Sequence, residues 1–246
     1  MKKSQKLLLV AGFLAGLLLS CQISDNLFDR FSLPASVPVG LQPTSPALPS
    51  PTSANTPEVP PSTSIFRDEF SDSSGGWETA NFVEGSTGHY EGGFRIKLNR
   101  ARYLLWSTAG KDYQDVRIEV DVNLLDGGVD NTFGVICRYQ DSGNFYALMI
   151  SSDGYYAIRK RVQGAALEII SGNGYQFSDE ISSARQKNLL RGECAGDRIR
   201  LYANGILLAE VIDSDLKRGD IGLIAGTFAA QTTSLMFDNF VASPVE

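Results

Sequence analysis

The sequence predicts an all-β domain, a sandwich of two antiparallel sheets, and three observations lead to this prediction. Apolar and polar residues alternate with a period of two in successive segments beyond Ile65. Pairs of turn-forming residues interrupt these segments roughly every eight to twelve residues, the spacing typical of all-β sandwiches. Proline is absent from residues 65–243, as expected where central strands must keep every backbone hydrogen bond.

The alternation is clearest in Val116–Leu124, where Val116 and Ile118 face one way and Arg117 and Glu119 the other. Similar segments are Phe94–Leu98, Phe133–Tyr139, Phe145–Ile150, Tyr155–Val162, Leu189–Cys194, Ile199–Tyr202, Ile206–Ile212, Ile221–Ile224 and Leu235–Val241. The turn pairs between strands, which tolerate the positive φ of tight hairpins, are Asp126-Gly127, Ser142-Gly143, Asp153-Gly154, Asn173-Gly174 and Asn204-Gly205. One segment, Asp179–Lys187, is expected to hold a turn or two of helix.

The first residues are typical of an export signal, because three lysines precede the apolar segment Leu7–Leu19. That segment would reach only about 20 Å as a helix, short of the hydrocarbon core of a membrane. It ends in Leu18-Leu19-Ser20-Cys21, which resembles the lipobox of bacterial lipoproteins. The resemblance implies a signal peptide over residues 1–20, lipidation of Cys21 by acyl chains such as palmitate, and an anchor in the cell membrane. An ordinary cleaved signal peptide is the alternative.

Residues 21–64 are predicted to be a tether. Nine of the ten prolines of the chain lie between Pro34 and Pro61, among many serines and threonines. This composition offers too little apolar surface to offset the entropy of ordering. The folded domain is therefore predicted to span residues 65–246, exported and extracytoplasmic.

The charge of the chain excludes some classes of function. It has 22 Lys and Arg against 28 Asp and Glu, a net charge of −6, so a nucleic-acid partner is not expected. His89 is the only histidine, which excludes most Ser/His/Asp catalysis and every site with several histidine ligands. It lies in an apparent turn and is predicted to be a surface residue.

Two cysteines, Cys137 and Cys194, lie in predicted strands of an exported chain, where a disulfide is chemically permitted. We favour the disulfide, with two buried free thiols as the alternative.

Three parts of the domain resemble a known superfamily. They are the opening FRDEFSDSSGGW, the central FGVICRYQDSGNFYALMISSDGYYAIRK with GECAGDRIRLYANG, and the closing GDIGLIAGTF with FDNFVAS. In order and spacing they resemble the concanavalin A-like lectin/glucanase superfamily, in particular laminin G-like and 3-keto-disaccharide-hydrolase-type sandwiches. The resemblance implies a jelly roll whose first and last strands lie side by side, with carbohydrate bound on the concave face or its rim loops. Asp68-Glu69-Phe70 and Phe237-Asp238-Asn239-Phe240 are then the paired end strands.

Glu119 and Asp121 are the sharpest catalytic candidates, because they share one face of a strand as the carboxylates of glucanases do. The third carboxylate of that pattern should be a glutamate, and Leu125 or Asp126 stands at its place. A solvated strand face would supply the same residues. A glycoside hydrolase is therefore the alternative function.

Carbohydrate binding needs aromatic platforms and planar hydrogen-bonding groups. Strand parity places Tyr155 and Arg159 on one face, predicted to lie beside Glu119 and Arg138. Tyr146 is expected to project towards the same face, and Trp106 follows an apolar run near a loop. These residues form the predicted glycan-binding surface.

Structural calcium is a further hypothesis, because members of the superfamily hold it near the terminal strands with oxygen ligands. The candidate ligands are Asp68, Glu69, Asp72 and Asp238. No other cofactor is expected, and nothing in the sequence indicates the oligomeric state. The favoured function is a membrane-anchored carbohydrate-binding module without catalysis, and a protein-binding adhesion module is the third alternative.

Overall fold

The computed structural model describes residues 65–229 and 232–245. The predicted signal peptide, Cys21 and the tether lie outside the described residues. No helix is found within these two ranges, and so none that could span a membrane. The prediction of helix in Asp179–Lys187 is wrong, since this segment forms turns and irregular backbone.

The described residues form sixteen strands. They are β1 (Phe66–Asp68), β2 (Ala80–Asn81), β3 (Gly85–Tyr90), β4 (Gly93–Leu98), β5 (Leu104–Tyr113), β6 (Val116–Gly127), β7 (Asn131–Asp141), β8 (Asn144–Ile150), β9 (Tyr155–Arg161), β10 (Glu168–Ile169), β11 (Gln176–Phe177), β12 (Asn188–Ala195), β13 (Arg198–Ala203), β14 (Ile206–Ile212), β15 (Gly219–Thr227) and β16 (Thr233–Ser243). Every segment predicted as a strand from its alternation lies in one, although β9 ends at Arg161. The predicted first end strand, Asp68-Glu69-Phe70, is displaced, since β1 ends at Asp68.

The strands build two antiparallel sheets. Sheet A has the order β14-β13-β12-β6-β16-β4-β3-β2, with β1 paired to β16, and sheet B has the order β10-β9-β8-β7-β15-β5, with β11 paired to β9. Asp68 of β1 lies opposite Phe240 of β16, so the first and last strands are neighbours, as the family resemblance implied. The hairpin between β13 and β14 turns at Asn204 and Gly205, whose φ values of 52° and 89° are those of the predicted tight turn.

The core lies between the sheets. From sheet A it receives the alternating apolar residues of β6, such as Ile118 and Val120, and from sheet B residues such as Val135 and Leu148. Each such side chain stabilises the fold by roughly 1.5–3 kcal/mol through burial. The opposite residues of each strand form the outer faces of the two sheets, where any ligand contacts of the sheets must be sought.

An aromatic cluster closes one part of this core. Phe70, Trp77, Phe94 and Phe240 are all buried, and their ring centroids lie 4.9–6.5 Å apart in the contacting pairs. His89 packs against this cluster, with its ring centroid 5.6 Å from that of Phe94. The prediction that His89 is a surface turn residue is therefore wrong: it lies in β3 and is half-buried.

A disulfide joins Cys137 of β7 to Cys194 of β12. The predicted pairing is confirmed. Because β7 belongs to sheet B and β12 to sheet A, the bond crosses the core and links the two layers of the sandwich.

Candidate functional site

Glu119 and Asp121 lie on the outer face of sheet A, where each is paired with a cation. Glu119 accepts a hydrogen bond from Arg191 at 2.7 Å, and Asp121 accepts one from Lys187 at 2.8 Å. Asn239 donates a further hydrogen bond to Asp121. The two carboxylates are thus held by neighbours on a solvated sheet face, and neither borders the two cavities described below.

Arg138 lies in the interior of the domain. Its side chain has no exposed surface, and it donates hydrogen bonds to the carbonyl oxygens of Gln114, Leu216 and Gly196 and to the carboxylate of Asp115. Burial lowers the pKa of this guanidinium, and Asp115 opposes that effect. The prediction that Arg138 belongs to an exposed binding face is wrong. It ties together loop segments at one end of the sandwich.

Tyr146 points into the core rather than onto the outer face. Its hydroxyl donates a hydrogen bond to Asp213 and accepts one from the backbone N–H of Leu216. Asp213 also receives a hydrogen bond from Lys160 at 2.5 Å. Burial, together with the bond to Asp213, raises the pKa of Tyr146 to about 12. The expectation that Tyr146 projects towards a ligand is therefore wrong, because the residue anchors a polar network between β8, β9 and the segment after β14.

Tyr155 and Arg159 share the outer face of sheet B, as strand parity predicts. Tyr155 is exposed and packs against Phe177, with ring centroids 5.5 Å apart. Arg159 donates hydrogen bonds to the carbonyl oxygen of Leu167 and to the hydroxyl of Tyr175. These residues lie on a different sheet from Glu119, so the predicted combined surface does not form. A role of Tyr155 and Arg159 in binding stays a prediction.

Trp106 lies in β5, the strand at one edge of sheet B, as its third residue. Its ring centroid is 5.7 Å from that of Phe145, and the ring of Tyr139 lies 5.9 Å from Phe145 on the same face. Phe145 itself is buried, whereas Trp106 and Tyr139 are half-buried. We refer to these three rings as the aromatic strip. It covers an apolar patch on the outer face of sheet B that includes Ile136 and Ile224.

One end of the aromatic strip borders a cleft of about 500 Å³, which we name the β5 cleft. It lies where β2 and β3 of sheet A face β5 of sheet B. Its lining combines aromatic, aliphatic, hydroxyl and carboxylate side chains. The lining residues are Glu78, Thr79, Ala80, Phe82, Thr87, Tyr103, Leu104, Leu105 and Trp106.

The backbone around the β5 cleft is fixed by three hydrogen bonds. The carbonyl oxygen of Glu78 accepts from the hydroxyls of Thr87 and Ser107, and the N–H of Glu78 donates to the carbonyl oxygen of Thr108. These bonds attach the segment before β2 to both β3 and β5. The side chain of Glu78 is exposed at the cleft, and Phe82 is 54% exposed at the turn between β2 and β3.

The other end of the aromatic strip borders a second cavity of about 360 Å³, the Tyr139 cavity. Arg218 and Asp112 form an ion pair at 2.7 Å in its wall. Asp220 accepts hydrogen bonds from the backbone N–H groups of Gly110 and Lys111, at 2.9 and 2.6 Å. Burial raises the pKa of Asp220. The lining residues are Gly110, Lys111, Asp112, Tyr139, Gln140, Arg218, Gly219 and Asp220.

The four acidic residues considered as calcium ligands do not form a metal site. Asp68 accepts hydrogen bonds from the indole of Trp77 and the N–H of Phe70, while Asp72 and Asp238 accept from nearby backbone N–H groups. Within residues 65–229 and 232–245 there is no group of three or more His, Cys, Asp or Glu residues that could hold a metal ion. The calcium site formed by Asp68, Glu69, Asp72 and Asp238 is therefore not supported.

Sequence reasoning missed most of the residues around both cavities. Phe82, Tyr103 and Glu78 were not candidates, because β2, β3 and β5 were not recognised as strands. The sequence of β5, LLWSTAGKDY, has no strict alternation, and five of its ten residues are at least partly exposed. One signal was available in the sequence, the apolar pair Phe82-Val83, which ends two residues before Gly85.

Comparison with protein-family models gave no match, and neither did comparison with curated proteins. Several solved structures do match over most of their own length. A carbohydrate-binding module, CBM66, from Bacillus subtilis has a TM-score of 0.56 at 20% identity, over 68% of this chain and 95% of that chain. A native glycosidic hydrolase has a TM-score of 0.54 at 14% identity, over 75% and 97%. The beta-glucanase of Bacillus licheniformis has a TM-score of 0.51 at 12% identity, over 74% and 98%.

These identities are too low to carry a function, but the TM-scores above 0.5 over most of each neighbour's length show a shared fold. Together with the two antiparallel sheets and the pairing of β1 with β16, they establish the fold. The described part of the chain has a concanavalin A-like jelly-roll fold.

Proposed function

We propose that this domain binds carbohydrate in the β5 cleft and does not cleave it. The proposal rests on one observation: two aromatic residues, Trp106 and Phe82, line the same cleft as the polar residues Glu78 and Thr79. Aromatic faces pack against the C–H side of a sugar ring, while carboxylate and hydroxyl groups hydrogen-bond its hydroxyls. The cleft also falls within the usual size of small-ligand sites.

Two further observations support the proposal. Phe82 is a large aromatic residue kept largely exposed beside a concave surface, and the adjacent Val83 is 89% exposed. Contiguous exposed apolar groups of this kind are typical of binding sites. One structural neighbour is itself described as a carbohydrate-binding module, and two others as a glycosidic hydrolase and a beta-glucanase.

The positions of the carboxylates favour binding without turnover. Glycoside hydrolysis uses a pair of them, roughly 5–10 Å apart, on either side of the scissile bond. Among the described residues that line the β5 cleft, Glu78 is the only acid. Glu119 and Asp121 lie on the outer face of sheet A, where Arg191 and Lys187 neutralise them.

A glycan array followed by titration calorimetry tests binding in the β5 cleft. We expect Trp106→Ala and Phe82→Ala each to weaken binding by about tenfold or more, because each removes a stacking surface. Tyr202→Ala is the matched control, since Tyr202 is an aromatic residue on the outer face of sheet A and lines neither cavity. It is expected to leave affinity unchanged.

The same experiment can overturn the proposal. If no glycan is retained but a protein is captured in a pull-down, the domain is an adhesion module. If sugars are cleaved, and Glu119→Gln abolishes the release of reducing ends, the domain is a glycoside hydrolase.

We propose further that the domain is exported and lipid-anchored through Cys21. Support comes from the export-type segment before Cys21 and from the disulfide between Cys137 and Cys194. Structural disulfides persist mainly in oxidising, extracytoplasmic compartments.

A further inference from the structure

We infer that the ligand is an uncharged oligosaccharide that runs from the β5 cleft, across the aromatic strip, into the Tyr139 cavity. This inference rests on the proposed function and adds the ligand's length and charge. It assigns a ligand-binding role to Tyr139 and Gln140.

The two cavities lie along the same strand. The β5 cleft is lined by Tyr103–Trp106 and the Tyr139 cavity by Gly110–Asp112, both from β5. Trp106 lies opposite Ile224 of β15 and Asp112 lies opposite Asp220. An extended strand rises by about 3.3 Å per residue, so the four residues from Asp220 to Ile224 place Trp106 and Asp112 about 13 Å apart along the sheet. A single sugar ring is shorter than this distance, whereas a chain of roughly three or four rings covers it.

The surface between the cavities is suited to a sugar chain. Trp106 and Tyr139 each contact Phe145, so two half-buried rings form a continuous aromatic surface over one buried ring. Gly222 lies beneath it, paired with Thr108 on one side and Ile136 on the other. A Cβ atom at this glycine would lie 2.5 Å from the carbonyl oxygen of Ser107. Because residue 222 is a glycine, no side chain projects from the sheet at this point. The outer face between the two cavities is therefore not obstructed here.

The charges of both cavities favour an uncharged ligand. In the Tyr139 cavity the two cations, Lys111 and Arg218, face two acids, Asp112 and Asp220. Arg218 is paired with Asp112, and the Nζ atom of Lys111 lies over the ring of Phe66. The described lining of the β5 cleft has one acid, Glu78, and no base. A carboxylated or sulfated sugar would therefore meet no uncompensated positive charge.

The hydrogen-bonding groups of the Tyr139 cavity match hydroxyls. Gln140 is exposed, and the ion pair between Arg218 and Asp112 presents donors and acceptors in one plane. With the ring of Tyr139 beside them, they repeat the combination of aromatic and planar polar groups found in the β5 cleft.

Calorimetry with length series of gluco-, xylo-, manno- and fructo-oligosaccharides, from monosaccharide to hexasaccharide, tests the inference. We expect affinity for at least one series to rise about tenfold or more between the disaccharide and the tetrasaccharide, and then to level off. Tyr139→Ala should remove this gain while keeping the affinity for the shortest sugars. Trp106→Ala should weaken binding at every length.

Further variants keep the test decisive. Gln140→Ala alters an exposed residue of the Tyr139 cavity and should reduce the gain with length even if Tyr139→Ala fails to fold. Tyr202→Ala, on the outer face of sheet A, is the matched aromatic control and should change nothing at any length.

Three results would overturn the inference and leave the proposed function standing. They are equal affinity for short and long sugars, a loss in Tyr139→Ala that is the same at all lengths, and tighter binding of uronic-acid or sulfated chains than of uncharged ones. Failure to bind any sugar would instead overturn the proposed function, and the inference with it.

Discussion

The guanidinium of Arg138 holds the loops at one end of the sandwich together through hydrogen bonds. Replacing Arg138 by Met would leave the carbonyl oxygens of Gln114, Leu216 and Gly196 without their donor. A buried polar group that loses its partner costs about 1–3 kcal/mol. We therefore expect Arg138→Met to lower the free energy of unfolding by about 3–5 kcal/mol, measured by urea denaturation.

The control for Arg138 is an arginine with a similar role at the surface. Arg185 also donates to a carbonyl oxygen, that of Leu125, but its side chain is 58% exposed. Arg185→Met is expected to change stability by less than about 0.5 kcal/mol, because water can replace the lost bond. Equal effects of the two substitutions would contradict the structural role given to Arg138.

Tyr146 makes stability depend on pH in the alkaline range. Its pKa is raised to about 12 in the folded protein, from an ordinary value of 10.0. Folding thus favours the neutral hydroxyl. Its contribution to the free energy of unfolding is complete below pH 10 and is lost as the pH rises towards 12. The hydrogen bonds from Lys160 to Asp213 and Asp215 raise the pKa of Lys160, which acts in the same direction. We expect about 2 kcal/mol to be lost over this range through Tyr146.

The measurement is the free energy of unfolding of the wild type and of Tyr146→Phe as a function of pH. We expect the phenylalanine variant to be less stable at neutral pH, since Asp213 loses one of its donors and the N–H of Leu216 loses its acceptor. Its stability should fall less steeply above pH 10. Parallel curves for the two proteins would exclude Tyr146 as the source of the pH dependence.

At the scale of elements, the disulfide is the one covalent link between the sheets in the described part of the chain. It joins β7 to β12 across a sequence separation of 57 residues. Closing a loop of this length restricts the unfolded chain, so we expect the double variant Cys137→Ala/Cys194→Ala to lose about 2–5 kcal/mol of stability.

Denaturant titration of the oxidised wild type, the reduced wild type and the double variant checks this expectation. The reduced wild type should resemble the double variant. A thiol titration of denatured, unreduced protein should find neither cysteine reactive. Two reactive thiols, or equal stability of all three samples, would contradict a stabilising disulfide.

Some strands of this fold could be predicted from the alternation of apolar and polar residues and others could not, because the strands differ in how they are buried. β6 packs one face on the core and exposes the other, so its residues alternate and its bounds follow from the sequence. β5 lies at the edge of sheet B, where Ser107, Thr108 and Ala109 are all buried and the alternation is lost. The strand that carries Trp106 was therefore among those that the pattern could not identify.

The alternation along β9 correctly predicts that Tyr155 and Arg159 share one face. It does not predict which of the two sheets this face belongs to. Whether two strands share a sheet depends on pairings between distant segments, such as β15 with β5 and β6 with β12. The sequence pattern carries no such information, so Glu119 and Arg159 were expected together although they lie on opposite layers. Positive φ at Arg138 also interrupts the alternation of β7, and its side chain turns inward.

At the scale of the whole molecule, the proposed anchor makes a prediction about location. If Cys21 carries acyl chains, cells grown with labelled palmitate should incorporate the label into the wild type, because two chains bury enough methylenes for stable membrane binding. Cys21→Ala should remove the label. A variant in which residues 1–21 are replaced by a cleavable export signal should be found in the soluble fraction and should bind the same glycans as the wild type. Label that persists in Cys21→Ala, or a wild type that is never labelled, would exclude the lipid anchor while leaving the sugar-binding site of the sandwich untouched, since that site uses only residues of the folded domain.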